Sequence, residues 1–261
     1  MSASATPDRF MLPDTLDTAH HPKPYVRETL DARAMHFSIS ETQSRMHLKH
    51  PDALTLEYTR TMMGFLLFKP RPQRIAMIGL GGGSIAKFCH RHLPAAHMTT
   101  VEINPHVIAL RDQFDVPPDG PRFRVICGDG AAFVRESAER FDVLLVDGFD
   151  LEGQPPALCS QRFYDDCADV LAPEGLLAVN LHTGHKQFDE LVERIRRSFG
   201  GSALVVDDGE CSNSIVFAGK GGLLARQPVG PVRYSPGLDA GCAQLMPAFA
   251  RVMSALQRMR S

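Results

Sequence analysis

The chain has 261 residues, 44% of them hydrophobic and 22% charged, with a formal net charge of −2. That length supports one sizeable core or two small ones, and so even a charge balance supplies no broad attraction for nucleic acid or an anionic membrane. The longest apolar runs, such as MMGFLLF at 62–68, fall far short of a bilayer span.

Residues 1–30 are polar and proline-containing and are expected to form a flexible arm. Their opening stretch has no basic segment followed by an apolar one, so it is not a signal peptide, and a cytoplasmic location is expected. Residues 31–70 are expected to form a small N-terminal unit. In it, 33–48 alternates weakly between apolar and polar, as a hairpin does. A helical period follows over 52–68, with Asp52 placed to cap it and Pro70 and Pro72 to stop it.

A strand–helix rhythm then runs through residues 71–222. Strands are predicted at 74–80, 98–103, 123–129, 142–147 and 175–182, alternating with helices at 84–93, 105–114, a short one after 129 to about 138, 160–171 and 185–199. Continuous apolar strands separated by amphipathic helices predict an α/β fold: a Rossmann-like, mostly parallel sheet with both faces covered. Segments 202–208 and 212–220 predict an antiparallel hairpin at its end. Residues 223–261 read as a Gly/Pro-rich link and a closing helix near 239–258.

The cysteines, Cys89, Cys127, Cys159, Cys167, Cys211 and Cys242, form no CxxC pair. A metal site or redox dithiol needs clustered thiols, so neither is expected, and the cysteines read as small apolar residues in a reducing compartment. His90 and His92 are expected to face solvent. Asp207, Asp208 and Glu210 read as an exposed acidic turn, and Met62-Met63 as core.

The chemistry collects at the strand ends, where open α/β sheets bind their ligands. The first turn reads Gly79-Leu80-Gly81-Gly82-Gly83, then Ser84. Glycines there allow positive φ and let a ligand approach the backbone. The spacing is not G-x-G-x-x-G, so NAD is disfavoured. Glu102 ends the second strand, 20 residues after Gly82, where an acid accepts the ribose hydroxyls of a nucleotide. Asp129 ends the third strand, either to meet an adenine amino group or simply to form an Asp-Gly turn. Asp147-Gly148-Phe149-Asp150 ends the fourth. Two carboxylates there suit a cationic amine, which must lose a proton before it can attack a sulfonium. Neighbouring acids raise one another's pKa, which suits a base. His182 and His185 border the same end of the sheet.

Taken in order, Gly-Gly-Gly (81–83), Val-Glu-Ile-Asn (101–104), Gly-Asp-Gly (128–130) and Val-Asp-Gly-Phe-Asp (146–150) resemble the motifs of the spermidine synthase (polyamine aminopropyltransferase) family. Pro156-Ala157-Leu158 and Phe163-Tyr164 extend the resemblance, which covers about residues 35–220. It implies aminopropyl transfer from decarboxylated S-adenosylmethionine to an amine, with no metal and no tightly bound cofactor. It also implies a homo-oligomer without nucleic-acid or membrane partners. Residue by residue, it implies Glu102 on the ribose, Asp129 on the adenine and Gln43 beside the nucleotide. Asp147 would be the general base, Asp150 an amine-binding carboxylate, and Tyr58 a wall of the acceptor side. Two departures stand out. Ser84 replaces an aspartate that follows the glycines in the family. Gly148 and Phe149 replace small hydroxyl residues, and Leu151 a proline. A serine at 84 removes a charge that would repel the carboxylate of intact S-adenosylmethionine. Methyl transfer on the same scaffold, and a non-catalytic nucleotide-binding role, are therefore the competing expectations.

Overall fold

The structure, a computed structural model, describes residues 21–38, 42–149, 153–210, 213–226 and 237–260. The chain opens with a three-stranded antiparallel sheet, β1 (Tyr25–Glu28), β2 (Ala32–His36) and β3 (Thr42–His47), in that order. The expected hairpin is thus β2–β3. The stretch read as a flexible arm adds β1 to its edge.

Next come α1 (Glu57–Met62) and a 3-10 turn over Met63–Leu67. The helix expected over 52–68 is shorter than its apolar period suggests. Asp52 does not cap it. Leu56 occupies that position, with no side-chain hydrogen bond. Asp52 instead turns to His92 Nε2 at 3.0 Å and to Arg91 at 3.2 Å. His92 is buried, against the expectation of exposure. Its other ring nitrogen meets the Gly237 carbonyl at 3.0 Å.

The main sheet has seven strands: β4 (Arg74–Ile78), β5 (His97–Glu102), β6 (Phe123–Cys127), β7 (Phe141–Val146), β8 (Leu171–His182), β9 (Ala203–Asp207) and β10 (Asn213–Gly219). Their order is β6-β5-β4-β7-β8-β10-β9. The first five run parallel, and β10 pairs antiparallel with both β8 and β9. The helices are α2 (Ser84–His92), α3 (Pro105–Ile108), α4 (Gly130–Glu136), α5 (Gln161–Val170), α6 (Phe188–Ser198), α7 (Asp239–Cys242) and α8 (Met246–Arg260). The helix expected over 105–114 holds α geometry only through Ile108 and continues as turns, with Asp115 at φ 52°.

Strand residues alternate between two cores, as the pleat requires. Ile75 and Met77 face one side, joined by Ile85 and Phe88 of α2 and Val252 of α8. Ala76 and Ile78 face the other, with Phe133 of α4, Tyr164 of α5 and Leu191 of α6. Met62 and Met63 are fully buried in the first core. Asp208 is also buried, accepting from the Glu210 N–H at 3.1 Å, so the acidic turn is not fully exposed. The parallel strands share one carboxyl-terminal edge, and the crevice lies along that edge.

Candidate functional site

A crevice of about 1210 Å³ lies across the carboxyl ends of β4, β5, β6, β7 and β8. Gln43, Tyr58, Gly79, Gly81, Ser84, Glu102, Asp129 and Asp147 all line it. Gly82 and Gly83 sit directly behind, buried. Asp150 lies outside the described residues.

The glycine bend is dictated by close packing. Gly79 has φ +92°, and a Cβ there would stand 2.2 Å from the Asp147 carbonyl oxygen. Only glycine lets the tips of β4 and β7 meet this way. Gly83 caps α2 at φ 67°. A Cβ on it would strike Val116, and one on Gly82 would strike Phe114. The Gly82 N–H donates to Ser44 Oγ at 2.9 Å. The small N-terminal sheet therefore braces the bend through a buried hydroxyl, one residue from Gln43.

Glu102 is buried beneath the bend. Its carboxylate accepts the Leu80 N–H at 2.8 Å and the Asn104 N–H at 2.9 Å, with Gly81 and Ile103 N–H groups also in its field. Burial pushes its carboxyl above the ordinary range, and these N–H groups pull the other way. Asp129 is exposed. Its Oδ1 caps α4, accepting from Ala131 N at 2.7 Å and Ala132 N at 3.1 Å. Both acids thus have structural partners as well as a place on the crevice. Asn104 ties in the N-terminal segment by donating to the Pro22 carbonyl at 2.8 Å.

Asp147 follows β7. Its carboxylate accepts from Asn180 Nδ2 at 2.9 Å and from the Tyr58 hydroxyl. Burial raises its pKa, and both hydrogen bonds oppose the rise. The cause of the raised value is therefore desolvation, whereas the sequence pointed to a neighbouring acid. Tyr58 is pushed well above its ordinary value by burial and then by the charge of Asp147, so its hydroxyl keeps its proton and donates. Phe149, His182 and His185 border the same end.

Two residues here escaped the sequence reading. Ser44 sat one position from Gln43 on a weakly patterned strand. Asn180 is an amide inside the apolar run LLAVNL, and that lone polar residue in a buried strand was the available signal.

A glycine bend at a helix start, with acids at three successive strand ends, defines a Rossmann-like fold of the S-adenosylmethionine-dependent transferase type. The spermine/spermidine synthase domain matches residues 55–200, and the chain belongs to that family. It is 39% identical over 199 residues to the polyamine aminopropyltransferase of Neisseria meningitidis, covering 76% of each chain. To the polyamine aminopropyltransferase of Chromobacterium violaceum it is 37% identical, again over 76% of each. Among solved structures, a probable spermidine synthase from Corynebacterium glutamicum superposes with a TM-score of 0.66 at 20% identity, covering 75% of this chain and 76% of that one. No helix among the described residues is long and apolar enough to cross a membrane.

Proposed function

We propose that this chain transfers an aminopropyl group from decarboxylated S-adenosylmethionine to an amine acceptor, with Asp147 as the general base. The family and the naming of its relatives as polyamine aminopropyltransferases support the reaction class. One observation supports the base: a half-buried carboxylate at the end of β7, held by Tyr58 and Asn180 and open to the crevice beside the glycine bend.

An amine of pKa near 10 arrives protonated. Asp147 takes one proton. The freed lone pair attacks the methylene carbon next to the sulfonium, the C–S bond breaks, and its electron pair stays on sulfur as methylthioadenosine leaves. The chain supplies orientation and a fixed charge. In this reading Glu102 receives the ribose and the free edge of Asp129 the adenine amino group. Gln43 and the glycine bend flank the nucleotide. Tyr58 and Asp150 serve the acceptor.

The experiment is Asp147→Asn. Turnover falls by about 10²–10⁴-fold, the usual worth of a general base, while methylthioadenosine binding holds. Turnover equal to the parent protein removes the assignment. Ser84 opens α2 at the crevice as a buried neutral hydroxyl, so the donor is tested directly. Titration with both donors is expected to give methylthioadenosine from the decarboxylated one. S-adenosylhomocysteine from intact S-adenosylmethionine would replace aminopropyl with methyl transfer.

A further inference from the structure

Lys87 is 4% exposed and has no part in the proposed reaction. In the first turn of α2, its N–H donates to the Gly83 carbonyl at 2.8 Å. Its ammonium donates to the Phe114 carbonyl at 2.7 Å. One residue thus ties the glycine bend to the turn over 114–116, which packs directly behind that bend. A Cβ on Gly82 would lie 2.8 Å from the Phe114 ring, and one on Gly83 would lie 2.5 Å from Val116 Cγ2. Phe114 and Val116 are both buried. Between them Asp115 holds φ 52°, alone in positive φ among the described non-glycine residues. A residue with a side chain stays there only where its surroundings force it to. Arg33 of β2 donates to the Gln113 carbonyl at the exposed edge of this turn. Lys87 supplies the buried hold. Burial lowers its pKa to about 8, and the charges of Asp115 and Asp52 oppose the fall. At pH 7 the ammonium is therefore still charged, and its hydrogen bond is of the stronger, charge-assisted kind.

We propose that Lys87 is a positioning residue for the nucleotide: it latches the strained 114–116 turn against the back of the glycine bend and so sets where the bend meets the donor. This deepens the reading of the crevice as a nucleotide site and rests on it. Glycines have no side chains with which to hold their own place, so the bend is positioned by what packs on it. Ser44 Oγ takes the Gly82 N–H on one side. Phe114 and Val116 fill the other. Once the Phe114 carbonyl is released, Asp115 is free to relax to negative φ. Phe114 and Val116 then withdraw, and the bend gains room behind it. Gly79 and Gly81, which line the crevice, spend less time where a nucleotide fits, and the apparent affinity falls with that fraction. Lys87 touches no reacting atom. Its loss is therefore expected in donor KM, with kcat at saturating donor preserved.

The test measures methylthioadenosine affinity by calorimetry at pH 7 for the full chain and three variants, at a temperature where melts show all of them folded. Lys87→Met keeps the length of the side chain and removes the ammonium. Its affinity is expected to fall by about 10-fold, as for loss of one hydrogen bond to a charged group. Donor KM should rise to match. In Lys87→Met/Asp115→Gly the left-handed backbone is no longer strained, so the turn keeps its place without the latch. Affinity there returns to within about threefold of the parent. Lys220→Met is the control. That ammonium also sits on backbone carbonyls, Ala168 at 2.7 Å and Leu171 at 3.2 Å, but at the end of β8 away from the crevice. Its removal lowers Tm and leaves affinity unchanged. Parental affinity in Lys87→Met overturns the proposal. So does a double variant as weak as the single one, an equal loss in Lys220→Met, or a loss that falls on kcat rather than donor KM. A parent protein that binds no methylthioadenosine overturns the nucleotide reading itself, which is a different outcome.

Discussion

Replacing Gly79 by alanine isolates what the bend contributes. The added Cβ would lie 2.2 Å from the Asp147 carbonyl oxygen and 2.9 Å from its carbonyl carbon. A normal carbon–oxygen contact is about 3.3 Å, so one strand end must retreat by about 1 Å. Alanine also pays to hold φ near +92°, a cost of about 1–3 kcal/mol. The forced displacement adds about 1–3 kcal/mol of overpacking, giving a total of about 2–6 kcal/mol. For a chain of this size that lowers Tm by about 4–24 °C. The displaced atom belongs to Asp147, so the proposed base moves with it, and a misplacement of that size costs about 10²-fold in rate. Gly200 is the control. It also has positive φ, +60°, but a Cβ there meets nothing within 4 Å. Gly200→Ala is expected to cost only about 1–2 kcal/mol of backbone strain and to leave kcat unchanged. Thermal melts and steady-state turnover at a temperature where both variants are folded decide the matter. If Gly79→Ala matches Gly200→Ala in stability and retains parental kcat, the link from the bend to Asp147 is wrong.

Ser44→Ala leaves the buried Gly82 N–H without its acceptor, at about 1–3 kcal/mol. Methylthioadenosine affinity should weaken accordingly in calorimetry, with acceptor KM little changed. Arg251→Met removes the 2.7 Å contact to Glu57 that ties α8 to α1, at about 1 kcal/mol in urea unfolding at neutral pH. Burial pushes the Glu57 carboxyl up, but Arg251 and Arg60 outweigh it and hold the value below the ordinary 4.5. The stabilisation is therefore present above pH 4.5 and lost as pH falls through the folded value. The gap between parent and variant should close over that acid range. Lys87 is buried with its ammonium on the Phe114 carbonyl at 2.7 Å, and burial lowers its pKa from 10.5 to about 8. Between those values the unfolded chain binds the extra proton, so stability rises with pH relative to Lys87→Met. Urea midpoints measured from pH 8 to 10 should diverge in the parent's favour, and parallel curves would contradict the burial.

The main sheet was legible because its strands are unbroken apolar runs with glycine, acid or both at their ends. Backbone position alone brings Gly79, Glu102, Asp129 and Asp147 to one edge, so spacing along the chain carried the site. Asp52 was misread because a carboxylate after proline looks like a cap, and nothing local announces a histidine 40 residues later. The 105–114 helix was overextended because Leu110 and Phe114 keep a helical period while the backbone turns through Asp115. Ser44 and Asn180 were missed for a related reason. Each acts through one atom on a partner from a distant segment, Gly82 and Asp147, and periodicity does not record such pairings.

The family match begins at residue 55, yet the hydroxyl under the glycine bend is at 44 and the guanidinium behind Glu57 is at 251. A protein engineer who trimmed this chain to the recognisable span, or grafted that span into a homologue, would discard both supports. The transplant would carry every acid at the strand tips and still present a slack cradle. Portability here belongs to the span together with its two flanks.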